Sequence, residues 1–469
     1  ATLPERPPER LNRMSVTIAA AVAAAVGVPQ GPRFSWDTLP VFFHSSNASG
    51  PYTPESVQIM AKFPMVTIEK FQGPCGYAKN ASPACHQEDL IIDELRKVKE
   101  VNPNVSTIFY YNSVLDFPQY QLHARFLENP SLLLRNADGE ILNMTGGGHS
   151  CDVFDFGKDL ARQLFIEECV NATKTGFVDG CFIDRAVDGT PVDSGDDNHW
   201  SARGHHLDNA TAEAYFNGHI QMLKDLQTAI GDGPVIANHA YGPPHDPLLP
   251  GYVNFCMIEG FGANGGSIEQ LQMAVSNGRG VQAHGRGTID DIAAFLIGAG
   301  YHSFYGFGGW SDTESPAKHW SPYFDMPLGE PHGPAVQDSN HVWTRKFGTN
   351  VTVTFDGRTN TGHVSGWDLP PAPPSPPTPP LPPSPPAAPT AQCPTVLKQV
   401  AYREADVGES VGPTWADCCA QCAAKAGCAT WTWRPQNAPN YCHLHSDKAT
   451  RGADPEAICG TIANKTTLA

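Results

Sequence analysis

Basic residues are few in this chain. Lysine and arginine number 31 against 48 aspartates and glutamates, so the formal net charge is -17 at pH 7 with histidine neutral. The basic residues are also scattered along the sequence. Nucleic acids and anionic membrane surfaces are recognised by concentrated positive charge, and we expect neither as a partner.

Two motifs of phosphate and acyl chemistry are missing as well. The glycine runs at 146–149 and 306–310 lack the lysine or the helix start that a phosphate-binding loop requires. No Gly-X-Ser-X-Gly elbow occurs. The sequence gives no reason to expect a bound cofactor.

Eight short apolar segments recur through residues 39–307, and most are separated by enough chain for a helix. They lie at 39–44, 65–70, 106–111, 180–184, 234–239, 254–259, 280–284 and 303–307. Helical spacing of apolar residues predicts helices between them at 54–62, 86–100, 158–173, 210–230, 268–276 and 290–299. This alternation predicts an α/β fold, a (β/α)8 TIM barrel over residues 34–310.

The segments after the barrel differ in character. Residues 311–368 contain three strand-like stretches and predict a small appended β-sheet. Residues 369–391 are dominated by proline, which fixes φ and lacks an N–H, and predict a polyproline II linker about 60 Å long. Its Ser-Pro-Pro pattern resembles the hydroxyproline-rich glycoproteins of green algae and plants. That resemblance implies proline hydroxylation and O-linked glycans.

Cysteines concentrate near the end of the chain. Seven of the 13 follow residue 390, a density typical of a disulfide-stapled secreted module. A Cys-rich helix, a Trp-rich strand and a further Cys-bearing strand in residues 392–469 resemble the PAN/Apple family, a small disulfide-rich α+β module. The resemblance implies binding to protein or carbohydrate, and disulfides Cys418–Cys442, Cys422–Cys428 and Cys393–Cys459. Cys419 is then left over: it is free, bridges another chain, or replaces Cys418 in its pair.

The chain also carries features of an extracellular glycoprotein. Eight Asn-X-Ser/Thr acceptors predict N-glycosylation, at Asn47, Asn80, Asn104, Asn143, Asn171, Asn209, Asn350 and Asn464. The Ala-rich segment 1–33 has the character of a signal-peptide core, or of a short helix remaining from an upstream module, which we favour. No other segment is expected to span a membrane.

Two predicted strands end in a carboxylate, at Asp184 and Glu259. Glycosidic hydrolysis uses two carboxyl groups, one that protonates the leaving oxygen and one that attacks carbon or activates water. Barrels place their chemistry at these strand ends, so both side chains are candidate catalytic residues. The alternative is structural: Asp184 caps a helix or pairs with Arg185, and Glu259 joins a buried salt bridge. Glu69 competes with Glu259 as the second carboxylate.

Other strand ends supply candidate sugar-binding groups. Asn112, Asn238, His239 and His284, together with Glu69, are suited to hydrogen bonds with hydroxyl groups. Tyr305 and Trp310, with Phe307 and Trp320, crowd the region of the eighth strand, where aromatic faces suit stacking on a sugar ring. The alternatives are satisfied core polar groups, and packing of the appended sheet onto the barrel.

The stretch after the fourth strand is rich in acidic and imidazole groups, but their spacing matches no known metal cage. The residues are Asp188, Asp193, Asp196, Asp197, His199, His205 and His206. We interpret it as a solvated loop over the active face and predict no metal site.

Several segments resemble one group of barrels. FSWDTLPVFFHSS, MVTIEKFQG, GCFIDR, VIANHA, CMIEGFG and the later WTRKFGTNVTVTF look like the uncharacterised "hypothetical glycosyl hydrolase" barrels, over residues 34–367. The resemblance implies a glycoside-hydrolase-like TIM barrel whose substrate is not established. Acids after strands four and six also resemble the layout of the retaining α-galactosidase-like clan, which implies Asp184 as nucleophile and Glu259 as general acid/base.

Three functions follow from these patterns. The first is a secreted glycoside hydrolase acting on a cell-wall or matrix polysaccharide or on glycoprotein glycans. The second is a structural subunit of an extracellular filament or cell wall that self-associates and carries an inactive barrel. The third is a carbohydrate-binding protein.

Overall fold

The computed structural model describes residues 32–73, 75, 86–146, 149–186, 207–238, 253–311, 315–367, 395–403, 406–411, 414–434, 441–448 and 450–462. The chain divides into two compact units, with the boundary between residues 371 and 372. The predicted barrel lies in the first unit and the cysteine-rich segment in the second.

Eight parallel strands form the centre of the first unit within the described residues. They are β1 Phe42–Ser45, β2 Met65–Ile68, β3 Ser106–Asn112, β4 Gly180–Asp184, β5 Val235–Asn238, β6 Phe255–Glu259, β7 Gly280–Gly285 and β8 Ser303–Phe307. Each strand pairs with the next in this order. A parallel bridge between Val41 and Tyr305 joins β8 to the residue before β1. The sheet is therefore a nearly closed barrel, and the predicted α/β barrel is confirmed.

Seven α-helices occur in the described part of the first unit. They are α1 Pro54–Met60, α2 Gln87–Val101, α3 Gln121–Glu128, α4 Asp159–Lys174, α5 Asn209–Ile230, α6 Gly265–Ser276 and α7 Ile289–Gly298. All except α3 lie where the sequence predicts a helix. Four begin at a side chain that accepts a hydrogen bond from the first turn: Thr53, Asp208, Asn264 and Thr288. These caps satisfy backbone N–H groups that would otherwise lack a partner.

A small antiparallel sheet is inserted between β3 and β4, together with α3. Its strands are Leu115–Asp116, Asn143–Gly146 and His149–Val153. This sheet was not predicted from the sequence, because a two-residue strand is too short to show an alternating pattern.

An antiparallel sheet follows the barrel, with strands β9 Val336–Gln337, β10 Val342–Phe347, β11 Val351–Asp356 and β12 Thr361–Ser365. Three of these strands were predicted. The sheet contacts α7: Arg345 donates to the carbonyls of Leu296 and Ala299, and the Gly362 N–H donates to Asp290. Gly362 has to be glycine, because a Cβ there would lie 2.3 Å from that of Ala293.

The first unit has two apolar layers. One fills the inside of the barrel and includes Phe42, Ile108, Phe182 and Met257. The other lies between the barrel and the helices and includes neighbours such as Phe43, Phe109, Ile183 and Ile258. Alternate residues of each strand therefore belong to different layers, as the two-residue period of a strand requires.

The second unit contains a five-stranded antiparallel sheet in its described residues. Its strands are β13 Thr395–Arg403, β14 Asp406–Val411, β15 Thr430–Arg434, β16 Tyr441–His445 and β17 Thr450–Thr461, in the order β13-β17-β15-β16-β14. Helix α8, Trp415–Ala424, starts with a capping box of Thr414 and Asp417. The PAN/Apple resemblance of this unit stays a prediction.

Disulfides join α8 to its surroundings. The bonds Cys418–Cys442 and Cys422–Cys428 are formed, the same two pairs that the resemblance implies. Cys419 is disulfide-bonded too, so the expectation that it is left over is wrong. Cys393, the proline-rich linker and most of the Ala-rich segment lie outside the described residues. None of the helices in the described stretches is long and apolar enough to cross a membrane.

Candidate functional site

Strand periodicity places polar side chains inside the barrel at its C-terminal end. Phe42, Tyr110, Phe182, Ile236 and Met257 belong to the inner apolar layer. Residues two positions further along point to the same side. They are His44, Asn112, Asp184, Asn238 and Glu259, from five of the eight strands. The sequence prediction that strand-end polar residues meet at one mouth is therefore supported by strand geometry.

A small pocket of about 60 Å³ opens at this end of the barrel. Its described lining residues are His44, Glu69, Lys70, Phe182, Asp184, Asn238, Met257, Glu259 and Trp310. It therefore brings together both candidate catalytic carboxylates and three of the predicted sugar-binding residues.

The Asp184 carboxylate accepts four hydrogen bonds. Oδ2 accepts from Tyr110 Oη at 2.5 Å and from Asn112 Nδ2 at 3.0 Å. Oδ1 accepts from the Arg185 backbone N–H at 2.9 Å and from Asn238 Nδ2 at 3.1 Å. These donors fix the orientation of the carboxylate and stabilise its charged form.

The electrostatics of Asp184 favour ionisation. Burial raises the pKa of Asp184, and so does the charge of Glu259. The positive charge of Lys70 and the hydrogen bonds from Tyr110 and Asn238 outweigh both, and the pKa lies below its ordinary value. Asp184 is therefore an anion at neutral pH.

Asn238 connects the two candidate catalytic residues. Its Nδ2 donates to Asp184 Oδ1 at 3.1 Å and to Glu259 Oε2 at 2.8 Å. Because one nitrogen contacts both oxygens, those oxygens lie no more than about 6 Å apart. Glu259 is the more exposed of the two side chains. One carboxylate is thus held deep in the pocket and the other at its rim.

Glu69 has a different environment. Its Oε2 accepts from Lys70 Nζ at 2.7 Å, and its Oε1 lies 3.3 Å from His44 Nε2. The Lys70 ammonium also lies 4.4 Å from the centre of the Tyr110 ring. Glu69 is therefore an ion-paired residue directly after the end of β2.

Trp310 forms one wall of the pocket. Its ring stacks on His284 with centroids 4.0 Å apart and meets the edge of His44 at 4.9 Å. Its carbonyl accepts from the N–H and the hydroxyl of Ser46. Burial lowers the pKa of His284 to about 3, so this imidazole is neutral. His284 packs behind Trp310, and it is not among the pocket-lining residues.

The backbone at the end of β4 is also fixed. The Asp184 carbonyl accepts from the N–H and the hydroxyl of Ser113, and that hydroxyl lies 2.9 Å from Nε2 of the buried His219. Arg185 follows with a φ of 56°, a left-handed conformation that is uncommon outside glycine. Such conformations concentrate at functional sites.

Of the predicted site residues that the structure describes, Asn112, His284 and Tyr305 do not line the pocket. Tyr305 points to the outer layer, where its ring packs against Phe295 and its hydroxyl accepts from the Gly287 N–H. The prediction that Tyr305 lines the mouth is wrong, because Phe304 is the neighbour that faces inward. His239 lies outside the described residues, as do Asn80 and Asn464 and all of the acidic stretch 188–206.

Five residues of the site were not predicted from the sequence: His44, Lys70, Phe182 and Met257, which line the pocket, and Tyr110, which donates to Asp184. Lys70 directly follows Glu69, a predicted strand-end glutamate. Tyr110 lies two residues before Asn112 in the same strand, so the two side chains were expected to lie on the same face of the sheet. No group of three or more histidine, cysteine, aspartate or glutamate side chains suited to a metal occurs in the part of the chain that the structure describes.

Comparison with known proteins gives a family. Residues 99–350, more than half of the chain, match the model of hypothetical glycosyl hydrolase family 15. None of the curated proteins matches the chain.

Solved structures show broader likeness. An α-galactosidase from Thermus thermophilus is 10% identical with a TM-score of 0.44, over 70% of this chain and 68% of that one. A family 31 sulfoquinovosidase from E. rectale is 13% identical with a TM-score of 0.42, over 63% and 46%. An α-L-fucosidase from Paenibacillus thiaminolyticus is 15% identical with a TM-score of 0.39, over 60% and 47%. The chain thus spans less than half the length of the last two.

Proposed function

The chain belongs to hypothetical glycosyl hydrolase family 15, and we propose that its barrel hydrolyses O-glycosidic bonds with Asp184 and Glu259. The observation that carries the proposal is the contact of both carboxylates with the Asn238 amide. Retaining glycosidases hold their carboxyl groups about 5–5.5 Å apart, and inverting enzymes about 6.5–9.5 Å. The limit of about 6 Å applies to one oxygen of each carboxylate, Asp184 Oδ1 and Glu259 Oε2, and favours the shorter, retaining separation.

The environments of the two carboxylates suggest their roles. Asp184 is ionised and held by four donors, which suits a nucleophile. Glu259 lies at the exposed rim, where a leaving group and then water can reach it, which suits a general acid and base.

The reaction then has two steps. Glu259 gives its proton to the glycosidic oxygen while Asp184 attacks the anomeric carbon, so the C–O bond breaks and a glycosyl ester forms on Asp184. Glu259, now ionised, takes a proton from water, whose oxygen attacks the same carbon and releases Asp184. The sugar leaves with its original anomeric configuration.

The proposed setting is extracellular, with a cell-wall or matrix polysaccharide or a glycoprotein glycan as substrate. The glycosylation acceptors, the disulfides Cys418–Cys442 and Cys422–Cys428 and the proline-rich linker support this setting. The second unit is proposed as a PAN/Apple-like binding module that attaches the barrel to its target.

Hydrolysis of wall extracts and defined glycans tests the proposal. We expect Asp184→Asn and Glu259→Gln to lose at least about 100-fold in sugar release. Asp225→Asn, an exposed carboxylate on α5, is the matched control and is expected to keep its activity. Azide should restore turnover to Glu259→Ala and yield a glycosyl azide of retained configuration, because azide attacks the anomeric carbon of the Asp184 ester directly and needs no base catalyst.

Unchanged sugar release by Asp184→Asn would reject this catalytic assignment. If the wild-type chain binds glycans and cleaves none, the carbohydrate-binding interpretation gains. If the chain neither binds nor cleaves glycans but self-associates into filaments, the interpretation as a structural subunit is favoured.

A further inference from the structure

The charges around the pocket are unequal. Among the described lining residues, Glu69, Asp184 and Glu259 are acidic and Lys70 is the one lysine or arginine. The Lys70 ammonium donates to Glu69 Oε2 at 2.7 Å, and the side chains are 16% and 3% exposed. The positive charge is therefore already neutralised inside the protein, and carboxylates outnumber it.

A hydrogen-bond acceptor in the same pocket lacks a donor. Asn238 is 3% exposed, and both contacts of its Nδ2 go to carboxylates. Its Oδ1 is buried without a hydrogen-bond partner among the described residues. A buried acceptor without a donor is costly, so a ligand that binds here has to supply one. A sugar hydroxyl can donate, whereas a carboxylate or sulfate group cannot.

A second polar group is also unsatisfied. His44 is 2% exposed, and its Nδ1 has no hydrogen-bond partner in the parts of the chain that are described. It lines the pocket beside Glu69. An imidazole and an amide oxygen are both groups that form hydrogen bonds with hydroxyls.

We infer that this pocket selects a sugar residue bearing hydroxyls rather than an acidic group, and rejects uronic acids and sulfated sugars. Glu69 sets this selectivity, because it neutralises Lys70, the one ammonium among the described lining residues that could bind an anionic substituent. An anionic sugar would bring like charge close to the Asp184 and Glu69 carboxylates in a partly buried site, where charge interactions are stronger than in water. The inference deepens the proposed function and rests on it for the identity of the site.

Equilibrium binding of two matched sugar pairs tests the inference. The probes are D-galactose against D-galacturonate and D-glucose against D-glucuronate, titrated into the full-length chain at pH 7 and followed by NMR. Within each pair the acid differs only in carrying a carboxylate at C6. We expect at least one neutral sugar to bind about tenfold or more tightly than its uronate.

Variants at the Glu69–Lys70 ion pair should change the ratio of the neutral sugar's affinity to the uronate's affinity in opposite directions. Glu69→Gln frees the ammonium and should reduce the preference for the neutral sugar about tenfold or more. Lys70→Met removes the ammonium and should increase the preference. The double variant should lie between the two, and Glu269→Gln on the exposed face of α6 should match the wild type. Lys70 is partly exposed, so we expect Lys70→Met to fold, and it can be compared with the wild type even if Glu69→Gln does not fold.

The inference would be overturned if both members of each sugar pair bound equally, if a uronate bound more tightly, or if none of the four sugars bound measurably. It would also be overturned if Glu69→Gln and Lys70→Met had equal ratios of neutral-sugar to uronate affinity. Its failure is distinguishable from that of the proposed function. Cleavage of a uronide as fast as its neutral partner, lost in Asp184→Asn, rejects only the selectivity. Charge-dependent binding without any cleavage rejects only the hydrolysis.

Discussion

At the residue scale, Tyr110 and Tyr111 are neighbours in the chain with opposite surroundings. Tyr110 faces the inside of the barrel and donates to Asp184. Tyr111 faces outward and stacks on Phe165. The pair therefore offers an active-site variant and a control of the same chemistry, one residue apart.

We expect Tyr110→Phe to move the acidic limb of the kcat/KM profile to higher pH. The hydrogen bond from Tyr110 is among the causes that lower the pKa of Asp184, so its loss lets the carboxylate take up a proton at higher pH. Tyr111→Phe should leave the limb in place. A shift of equal size in both variants, or in neither, would contradict this role for Tyr110.

Glu88 predicts a pH dependence of stability. Burial and then the charge of Glu168 raise its pKa from 4.5 to about 8, while its Oε1 accepts from the Gln121 N–H at 2.6 Å. Because the folded pKa is above the unfolded one, the folded state is favoured below pH 4.5 and loses stability as pH rises from 4.5 through 8.

Between pH 4.5 and pH 8 the free energy of unfolding is expected to fall by about 2–4 kcal/mol because of Glu88. Glu88→Gln should remove this fall, so that the variant exceeds the wild type in stability at pH 8 more than at pH 5. Urea unfolding at the two pH values measures the difference, with the exposed Glu128→Gln as control. A parallel pH dependence in Glu88→Gln and wild type would refute the assignment.

A site residue could be predicted only where the sequence indicates to which side of the strand its side chain points. Asp184 and Glu259 could, because a carboxylate after an apolar strand has to find polar surroundings. Tyr110 and Tyr305 could not, because both faces of a barrel strand are buried and apolar, and the sequence does not mark which residue faces inward. This is why Tyr110 was missed and Tyr305 was wrongly assigned.

At the scale of elements, the appended sheet holds the end of a barrel helix. Arg345 of β10 donates through Nη1 to the carbonyls of Leu296 and Ala299, at the C-terminus of α7. Its guanidinium also lies 5.0 Å from the Phe347 ring centre. The last carbonyls of a helix lack partners within the helix, so a buried cation there satisfies them and complements the helix dipole.

We expect Arg345→Met to lower the free energy of unfolding by about 2–4 kcal/mol, because it leaves two buried carbonyls without donors. Chemical denaturation of the first unit measures this. Arg358→Met, at a side chain 61% exposed, should cost no more than about 0.5 kcal/mol. Equal costs for the two variants would show that the cap contributes nothing.

The sequence predicted elements well where the pattern was long. All eight barrel strands and six helices lie at the predicted positions, because apolar strands and amphipathic helices alternate in a regular order. The insertion around α3 was missed. Its strands are short and pair through contacts distant in sequence, such as Asp116 with Asp152, which no local pattern records.

At the scale of the whole molecule, each of the two units has its own apolar core. The core of the second unit includes the bonded pair Cys418 and Cys442, which closes a loop over 24 positions of sequence. Loss of a disulfide that closes a loop of this size destabilises small modules by about 2–4 kcal/mol.

We therefore expect the Cys418→Ala, Cys442→Ala double variant to lower the melting transition of the second unit and leave that of the barrel unchanged. Differential scanning calorimetry resolves the two transitions. A shift of both together would show that the units unfold as one.

The bridge between Val41 and Tyr305 has a consequence for how the molecule is made. Where the first and eighth strands meet, the Ser45 hydroxyl also donates a hydrogen bond to the Gly309 carbonyl, 264 residues away in sequence. During synthesis the first strand emerges long before its partner, and its unpaired edge is open to other chains until then. The ring is completed only after the eighth strand has left the ribosome, so we expect chains cut short before residue 303 to aggregate rather than fold.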